Sequence, residues 1–447
     1  MENILILGAG RSSSSLINYL LEQAGDQNWN IVVADISKEL ALQKIKGYKQ
    51  AEAIGFDIGN HEERSAHFGK SDLVISMLPP TLHILAAKEC LLQNKNLITA
   101  SYLSQEIKEL EKEVIEKNLL FLNECGLDPG IDHMSAIQMI KKIQNDDGKI
   151  ISFRSYTGGL VAPEFRNNPW AYKFTWNPRN VVLAGQSTAR YLENGRLKYV
   201  PYRRLFRETR SFSIPGCMDH EGYVNRDSLS YKEIYGLKSA ETLIRGTLRN
   251  NGFCNAWDLF VTLGLTDDSF IINDCDQLTY EQFVRSFLNK KYKEYSIKKA
   301  VAMQSGISED SNSLNMVEWT GIFEERKIAI KSGTPAKILQ QLLETKWKLE
   351  ENDKDMVIMV HEVIYTKNSK TYRSNSYLVV RGDNSMETAM AKTVGLPMAI
   401  AAKLLLMGKI SSKGVVIPVI EEFYQPILKE LSDLGITFTE KTEEVTS

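Results

Sequence analysis

Asp128 and Tyr102 are side chains able to take, hold or give a proton, and both stand on short turns. Asp128 lies in Glu124-Cys-Gly-Leu-Asp-Pro-Gly-Ile-Asp-His133, which follows the apolar run Leu119 to Leu122 and leads into Ser135 to Ile143, apolar at helical spacing. The segment therefore reads as a strand-to-helix crossing. Gly126 and Gly130 permit backbone angles other residues avoid, Pro129 suits a first helical turn, and Asp128 is expected to cap the helix. Tyr102 closes Thr99-Ala-Ser-Tyr102, whose hydroxyls can serve a ligand or satisfy nearby backbone. Loops at the carboxyl ends of parallel strands are where α/β sheets bind ligands. His133, one helical turn further in, reads as structural.

A parallel sheet must hold these turns. Asn3 to Leu7 is an apolar strand, followed by Gly8-Ala9-Gly10-Arg11-Ser12-Ser13 and then Leu16, Ile17, Leu20 and Leu21 at helical spacing. That order lays a pyrophosphate on a helix N-terminus, where glycines let the backbone close in and free amides meet the negative charge. Ser13 stands where the common fingerprint has Gly or Ala. A second strand, Asn30 to Ala34, ends in Asp35, placed to hydrogen-bond an adenosine ribose and to repel a 2′-phosphate, which favours NAD over NADP. The plainer alternative makes Asp35 a cap for the helix near Lys38. Strand-like runs at Glu52–Phe56, Leu73–Met77 and Leu97–Ala100 alternate with helices over Thr81–Gln93 and Ser104–Lys117, the pattern of a doubly wound parallel α/β sheet. The loops Asp57-Ile58, Leu78-Pro79-Pro80 and Thr99 to Tyr102 open on the edge where a dinucleotide would lie.

The second half has another texture. Ile150 to Tyr156 reads as a strand; Gly158-Gly159 opens an aromatic stretch, Pro163 to Trp176, suited to a strand walling a pocket or to a sheet core. Between Arg196 and Arg249 eleven basic residues face six acidic ones, a local excess of +5. Arg245 and Arg249 are expected on one side of a helix, where guanidinium forks could grip a polyanionic ligand. Helical patterning runs from Ala240 to about Leu349, and Met356–Ile364 and Ser376–Val380 return to strand. A helix from about Met386 to Met407 follows Asn384 and Glu387, a capping-box spacing. Glu421–Leu434 is a final helix, and Thr439–Ser447 a charged, frayed tail.

Bulk properties bound the function. With 447 residues, 43% hydrophobic and 25% charged, the chain has room for two or three globular domains. A formal net charge of -2 provides no global field for nucleic acid or an anionic membrane. Cys90, Cys125, Cys217, Cys254 and Cys275 include no C-x-x-C pair, offer no metal site, and suit a reducing cytoplasm. The apolar stretch Val394–Met407 falls short of the ~20 residues of a membrane span and reads as a buried helix.

With these stretches in hand, the chain resembles the saccharopine dehydrogenase family of the L-glutamate-forming type, also called saccharopine reductase. The resemblance is carried by Gly8-Ala-Gly-Arg11, Thr99-Ala-Ser-Tyr102, Glu124 to His133, Asn167-Asn-Pro-Trp-Ala-Tyr-Lys-Phe174, Asn225-Arg-Asp227, Arg245-Gly-Thr-Leu-Arg249 and Glu387-Thr-Ala-Met-Ala-Lys-Thr-Val-Gly-Leu-Pro397, in family order across nearly the whole chain.

It implies a variant Rossmann domain over 1–125, completed by about 385–447, and a saccharopine-binding α/β domain over 126–384 with a mostly helical insertion at about 228–345. It further implies hydride transfer from the secondary-amine carbon of saccharopine to NAD or NADP, giving L-glutamate and 2-aminoadipate 6-semialdehyde, in a family that commonly forms homodimers. By motif, Gly8, Gly10, Arg11, Ser12 and Ser13 hold the pyrophosphate, Asp35 the ribose, Asp57 and Ile58 the adenine, and Leu78, Thr99 and Ala100 the nicotinamide side. Ala100, Ser101, Asp128, Phe174, Arg226, Arg245, Gly246 and Thr247 map to the saccharopine site. Asp128 and Tyr102 are the candidates for handling the amine proton. Fungal members use NADP and lack an acid at the position of Asp35, so this sequence departs from them there. The alternatives are a dehydrogenase of another amine, such as carboxynorspermidine or lysine, and a dinucleotide-binding sensor without turnover.

Overall fold

The computed structural model describes residues 1–445. Glu2–Leu7 (β1), Trp29–Asp35 (β2), Ala51–Gly55 (β3), Leu73–Ser76 (β4), Asn96–Thr99 (β5) and Leu120–Leu122 (β6) form one sheet with a strand from far along the chain, Gly414–Val416. All seven run parallel, in the order 414–416, β6, β5, β4, β1, β2, β3. Helices cover both faces, which is why β4 and β6 are buried at every position and apolar at all but Ser76. The chain lays β1 to β3 outward and then returns to set β4 beside β1. The crevice at the carboxyl ends of β1 and β4 is the topological switch point where such sheets take a ligand.

The second sheet has nine strands and is mixed. Its centre is Lys149–Val161, parallel to Thr242–Asn250 and antiparallel to Asp355–Lys367. Helix Ile131–Asn145 joins the two sheets, and its Ile137, Met139 and Ile140 share one core with Ile4 and Leu122 of the first sheet and Phe153 and Met359 of the second. The far face of the second sheet packs under five helices between Phe253 and Lys346, around Trp170, Trp257 and Trp347.

The expected doubly wound sheet, the second α/β unit and the helical insertion are all present, with several local corrections. Thr242–Asn250 is a strand and not a helix, so the helical insertion begins at Phe253 and not near 228. The first sheet is completed by helix Ala389–Leu406, strand Gly414–Val416 and helix Glu421–Asp433, but the chain then leaves it. Phe438–Glu444, expected to fray, pairs antiparallel with Lys370–Arg381 at the edge of the second sheet; Thr446 and Ser447 lie outside the described residues. The Thr442 hydroxyl meets that of Ser374 on the neighbouring strand at 2.8 Å, while the strand's lysine and glutamates suit an exposed edge. The stretch from Pro163 to Trp176 forms no strand. After a short 3-10 turn at Pro163–Phe165 it inserts Trp170, Tyr172 and Phe174 into the aromatic core.

Helix Ala389–Leu406 is capped by Thr388, whose hydroxyl accepts from Ala391 N–H at 2.9 Å. Asn384 closes a turn two residues upstream of the expected helix start, accepting from Met386 and Glu387 N–H, while the Glu387 carboxylate takes Ser15 and Asn18 of the first helix. The helix lies against Ser14–Gln27 so closely that a Cβ at Gly395 would sit 2.8 Å from the Leu16 nitrogen.

Candidate functional site

β1 ends in Gly8, whose φ of +106° and whose position 3.0 Å (as a Cβ) from the Met77 carbonyl both demand glycine. A Cβ at Gly10 would meet nothing within 4 Å, so the chain turns there with open space in front of it. Arg11–Ser13 form a single 3-10 turn leading into helix Ser14–Gln27, and no side chain caps that end, which leaves its first amides for a ligand. The arrangement fits a pyrophosphate. Ser13 is buried, with its hydroxyl on the Gly10 carbonyl at 2.9 Å, so its contribution is to lock the turn. Arg11 reaches the Phe174 carbonyl at 2.8 Å and ties the glycine turn to the second domain.

Asp35 accepts Ala9 N–H at 2.7 Å and Ser37 N–H at 3.0 Å, and does not cap the helix at Lys38, which Ser37 caps instead. Its carboxylate thus stands beside the glycine turn. Asp57 is exposed and Ile58 buried after β3, Leu78 is half-buried after β4, and Thr99 is buried at the end of β5. The Thr99 and Ser101 carbonyls accept the Cys125 and Glu124 N–H groups, stitching the two proton-bearing turns together. A Cβ on Gly126 would lie 2.8 Å from the Ala100 methyl, which explains glycine at that position.

Asp128, in a cis peptide bond to Pro129, does not cap the following helix; Gly130 begins it. The Asp128 carboxylate instead accepts the Tyr102 hydroxyl at 2.9 Å and Arg245 Nη2 at 2.7 Å. The same guanidinium reaches Asp132 at 2.6 Å. Asp132 is 1% exposed and Asp128 19%, so the second faces the crevice and the first lies beneath it. Burial raises the Asp128 pKa and the neighbouring Asp132 charge raises it further, against a lowering by Arg245. Asp132 is held below the usual range despite burial, because Arg245, His133 and the Gly130 N–H all stabilise its ionised form. Tyr102 is raised by burial and by Asp128, so it keeps its proton.

Beneath this layer His133 bridges the Tyr235 hydroxyl at 2.6 Å and Glu124 at 2.7 Å, fully buried. It supports the turn from below. Arg226 is exposed, with its guanidinium 4.8 Å from the centre of the Tyr102 ring. Phe174 is 1% exposed against Trp347, and only its carbonyl reaches the crevice side, through Arg11. Gly246 serves the opposite face of the sheet, where a Cβ would lie 2.1 Å from the Tyr156 ring. Thr247 shares the face of Arg245, opposite Thr157.

The basic excess from Arg196 to Arg249 is no single patch. Arg204, Arg207 and Arg210 pair with Glu208, Asp258 and Glu362 at the surface. A concavity of about 520 Å³ around Arg154, Tyr156, Arg210 and Glu362 lies on the far face of the second sheet, away from Asp128. Arg249, expected beside Arg245 as a second grip on a polyanionic ligand, is 3% exposed and forms no ion pair among the described residues, with Glu221 opposite it on the next strand; it stacks among Tyr172, Tyr223 and Phe253, and its Nε is unpaired. The Tyr172, Thr157 and Thr175 hydroxyls are also buried without partners. Because Leu243-Ile-Arg-Gly-Thr-Leu-Arg249 is a strand and not the expected helix, the two arginines still share a face but stand about 13 Å apart.

Fold and site together define a Rossmann-type dinucleotide-binding protein whose crevice is bordered by a second sheet. Residues 4–122 match the saccharopine dehydrogenase NADP binding domain and residues 126–436 the saccharopine dehydrogenase C-terminal domain. The chain belongs to the saccharopine dehydrogenase family. It is 37% identical over 448 residues to the mitochondrial alpha-aminoadipic semialdehyde synthase of Bos taurus, covering 98% of this chain but 47% of the bovine protein. It thus spans about half the length of such relatives. With the saccharopine dehydrogenase [NADP(+), L-glutamate-forming] of Saccharomyces cerevisiae it shares 33% identity across 99% of both chains. The apo structure of the L-Glu-forming enzyme from that yeast superimposes with a TM-score of 0.87 at 31% identity, over 99% of this chain and all of the other.

Proposed function

We propose that this chain oxidises saccharopine with a nicotinamide dinucleotide, yielding L-glutamate and 2-aminoadipate 6-semialdehyde. The observation that carries the proposal is the Tyr102–Asp128–Arg245–Asp132 cluster at the carboxyl edge of the dinucleotide sheet. Two carboxylates share one guanidinium and their pKa values are driven apart, the pattern that separates a proton acceptor from a fixed charge. Asp128 faces the crevice and takes the proton of the substrate amine as hydride departs from the adjacent carbon. Tyr102, protonated, fixes the carboxylate by donating to it. Asp132 remains ionised and keeps Arg245 in place. The bound nicotinamide supplies the hydride acceptor; water then adds to the imine carbon, and the carbon–nitrogen bond breaks to release the amino acid. Such proton handling typically contributes ~10²–10⁴-fold.

Arg245 bonds both carboxylates through Nη2 and holds the acid pair. The substrate carboxylates fall instead to Arg226, over Tyr102, and Arg249, four residues further along the sheet. A substrate with several carboxylates at opposite ends suits that spacing better than lysine or carboxynorspermidine, and two cations of this kind serve no purpose in a cofactor sensor. The test is growth of NADH or NADPH absorbance with saccharopine. Its absence with both cofactors overturns the proposal, and Asp128→Asn is expected to remove at least 10²-fold of kcat.

The NADP description of the matching domain and of the yeast relative stands beside an acid at position 35. On that carboxylate the preference here is NAD, and Asp35→Ser is expected to move the ratio of kcat/KM values toward NADP; an unchanged ratio rejects this role. A homodimer in the cytoplasm is part of the same proposal, with light scattering of the purified chain as its check.

A further inference from the structure

His83 begins helix His83–Gln93 directly behind the turn that carries Ser101. It is 3% exposed, and both ring nitrogens meet hydroxyls: Nδ1 lies 2.8 Å from Ser76 Oγ and Nε2 lies 2.6 Å from Ser101 Oγ. The Thr99 hydroxyl is 3.5 Å from either nitrogen. Among the described residues no carboxylate pairs with the ring, in contrast to His133, and burial drives its pKa down to about 4. The imidazole is therefore neutral, with one nitrogen donating and the other accepting.

The surroundings decide which. Ser76 is fully buried at the end of β4 and has no other hydrogen-bond partner, so its hydroxyl proton must go to Nδ1 or be left unsatisfied. Nδ1 is then the acceptor and Nε2 carries the proton, which it donates to Ser101 Oγ. Ser101, half-buried at the crevice, has its oxygen engaged and its own O–H free to turn outward. We propose that His83 is a positioning residue that makes Ser101 a hydrogen-bond donor toward a carboxylate of the substrate, one step behind the site. The proposal rests on the saccharopine reading for the identity of the carboxylate, but the polarity of the chain Ser76 → His83 → Ser101 does not.

Two measurements test it. In the wild-type protein without substrate, ¹⁵N shifts of the His83 ring at neutral pH should show the Nε2-protonated tautomer; the Nδ1-protonated form overturns the proposal even if saccharopine is not the substrate. In kinetics, His83→Gln places an amide at the Nε2 position and should retain Ser101, whereas His83→Asn reaches only Ser76. We expect His83→Asn to raise KM for saccharopine about tenfold at nearly constant kcat, with His83→Gln within about threefold of wild type. Adding Ser101→Ala to His83→Asn should cost nothing further. Equal losses in both His83 variants, or additive losses in the double variant, overturn it. Absence of saccharopine oxidation by wild type would reject the parent reading and leave the tautomer result standing.

Discussion

Arg245 and Arg249 sit on one strand, on one face, both almost wholly buried, and they are opposites. Arg245 is clamped by Asp128 and Asp132 at 2.7 and 2.6 Å. Arg249 has aromatic faces around it and no ion pair among the described residues, since Glu221, opposite it on the next strand, takes the Cys254 N–H at 2.8 Å. A guanidinium whose charge is already met by two carboxylates gains little from a third, whereas a buried cation held in no ion pair gains most from an incoming anion. On the proposed function, the residue to grip a ligand is the one whose local pairing is incomplete, and charge content alone does not identify it.

The largest effect expected from breaking this contrast is at Arg245. Arg245→Met leaves two buried carboxylates uncompensated and should cost about 3–5 kcal/mol of stability, read as a lower Tm; adding Asp132→Asn should restore part of it. Arg249→Met removes a cation held in no ion pair, so the fold should be nearly as stable as wild type while KM for saccharopine rises about 30–100-fold, the loss of one charge-assisted pair. A Tm fall as large as that of Arg245→Met would make the two arginines equivalent and sink the distinction.

The same sheet face offers a buried group kept uncharged. His361, opposite Ser155, binds Ser135 at 2.7 Å through Nε2 and leaves Nδ1 unpaired; burial lowers its pKa to about 4. Below pH 6.5 the unfolded chain takes up a proton that the native site refuses, so stability is lost as pH falls from about 6.5 to 4, by about 2 kcal/mol at pH 5. His361→Gln should flatten that acid limb in denaturant titrations. Smallest is exposed Arg226: Arg226→Ala should raise KM only several-fold, more in low salt than in high, because water screens a charge at the rim.

Much of the first domain was legible because each parallel strand buried on both faces is an apolar run ending in a turn of recognisable chemistry, as at Gly8–Ser13 and Thr99–Tyr102. The second domain was less so. Leu243, Ile244 and Leu248 satisfy helical spacing and a doubly buried strand equally, and only pairing with Lys149–Val161 decides between them. Asp128 was taken for a helix cap because its position before proline and glycine fits one; its bond to an arginine more than a hundred residues away is tertiary and leaves no local trace. Thr439–Ser447 reads as a tail because charged residues dominate it, which is also how an edge strand such as Phe438–Glu444 is protected from aggregation.

Gly395 pressed against Leu16 has a consequence for how the molecule is made. During synthesis the first six strands emerge early, yet the helix that covers Ser14–Gln27 and the strand that flanks β6 leave the ribosome only after residues 406 and 416. The nucleotide-binding lobe must therefore wait, with an apolar flank bare, while the entire second domain is translated. A nascent chain stalled before Ala389 should bind chaperones and resist neither protease nor heat, whereas one extended past Asp433 should become protected in a single step.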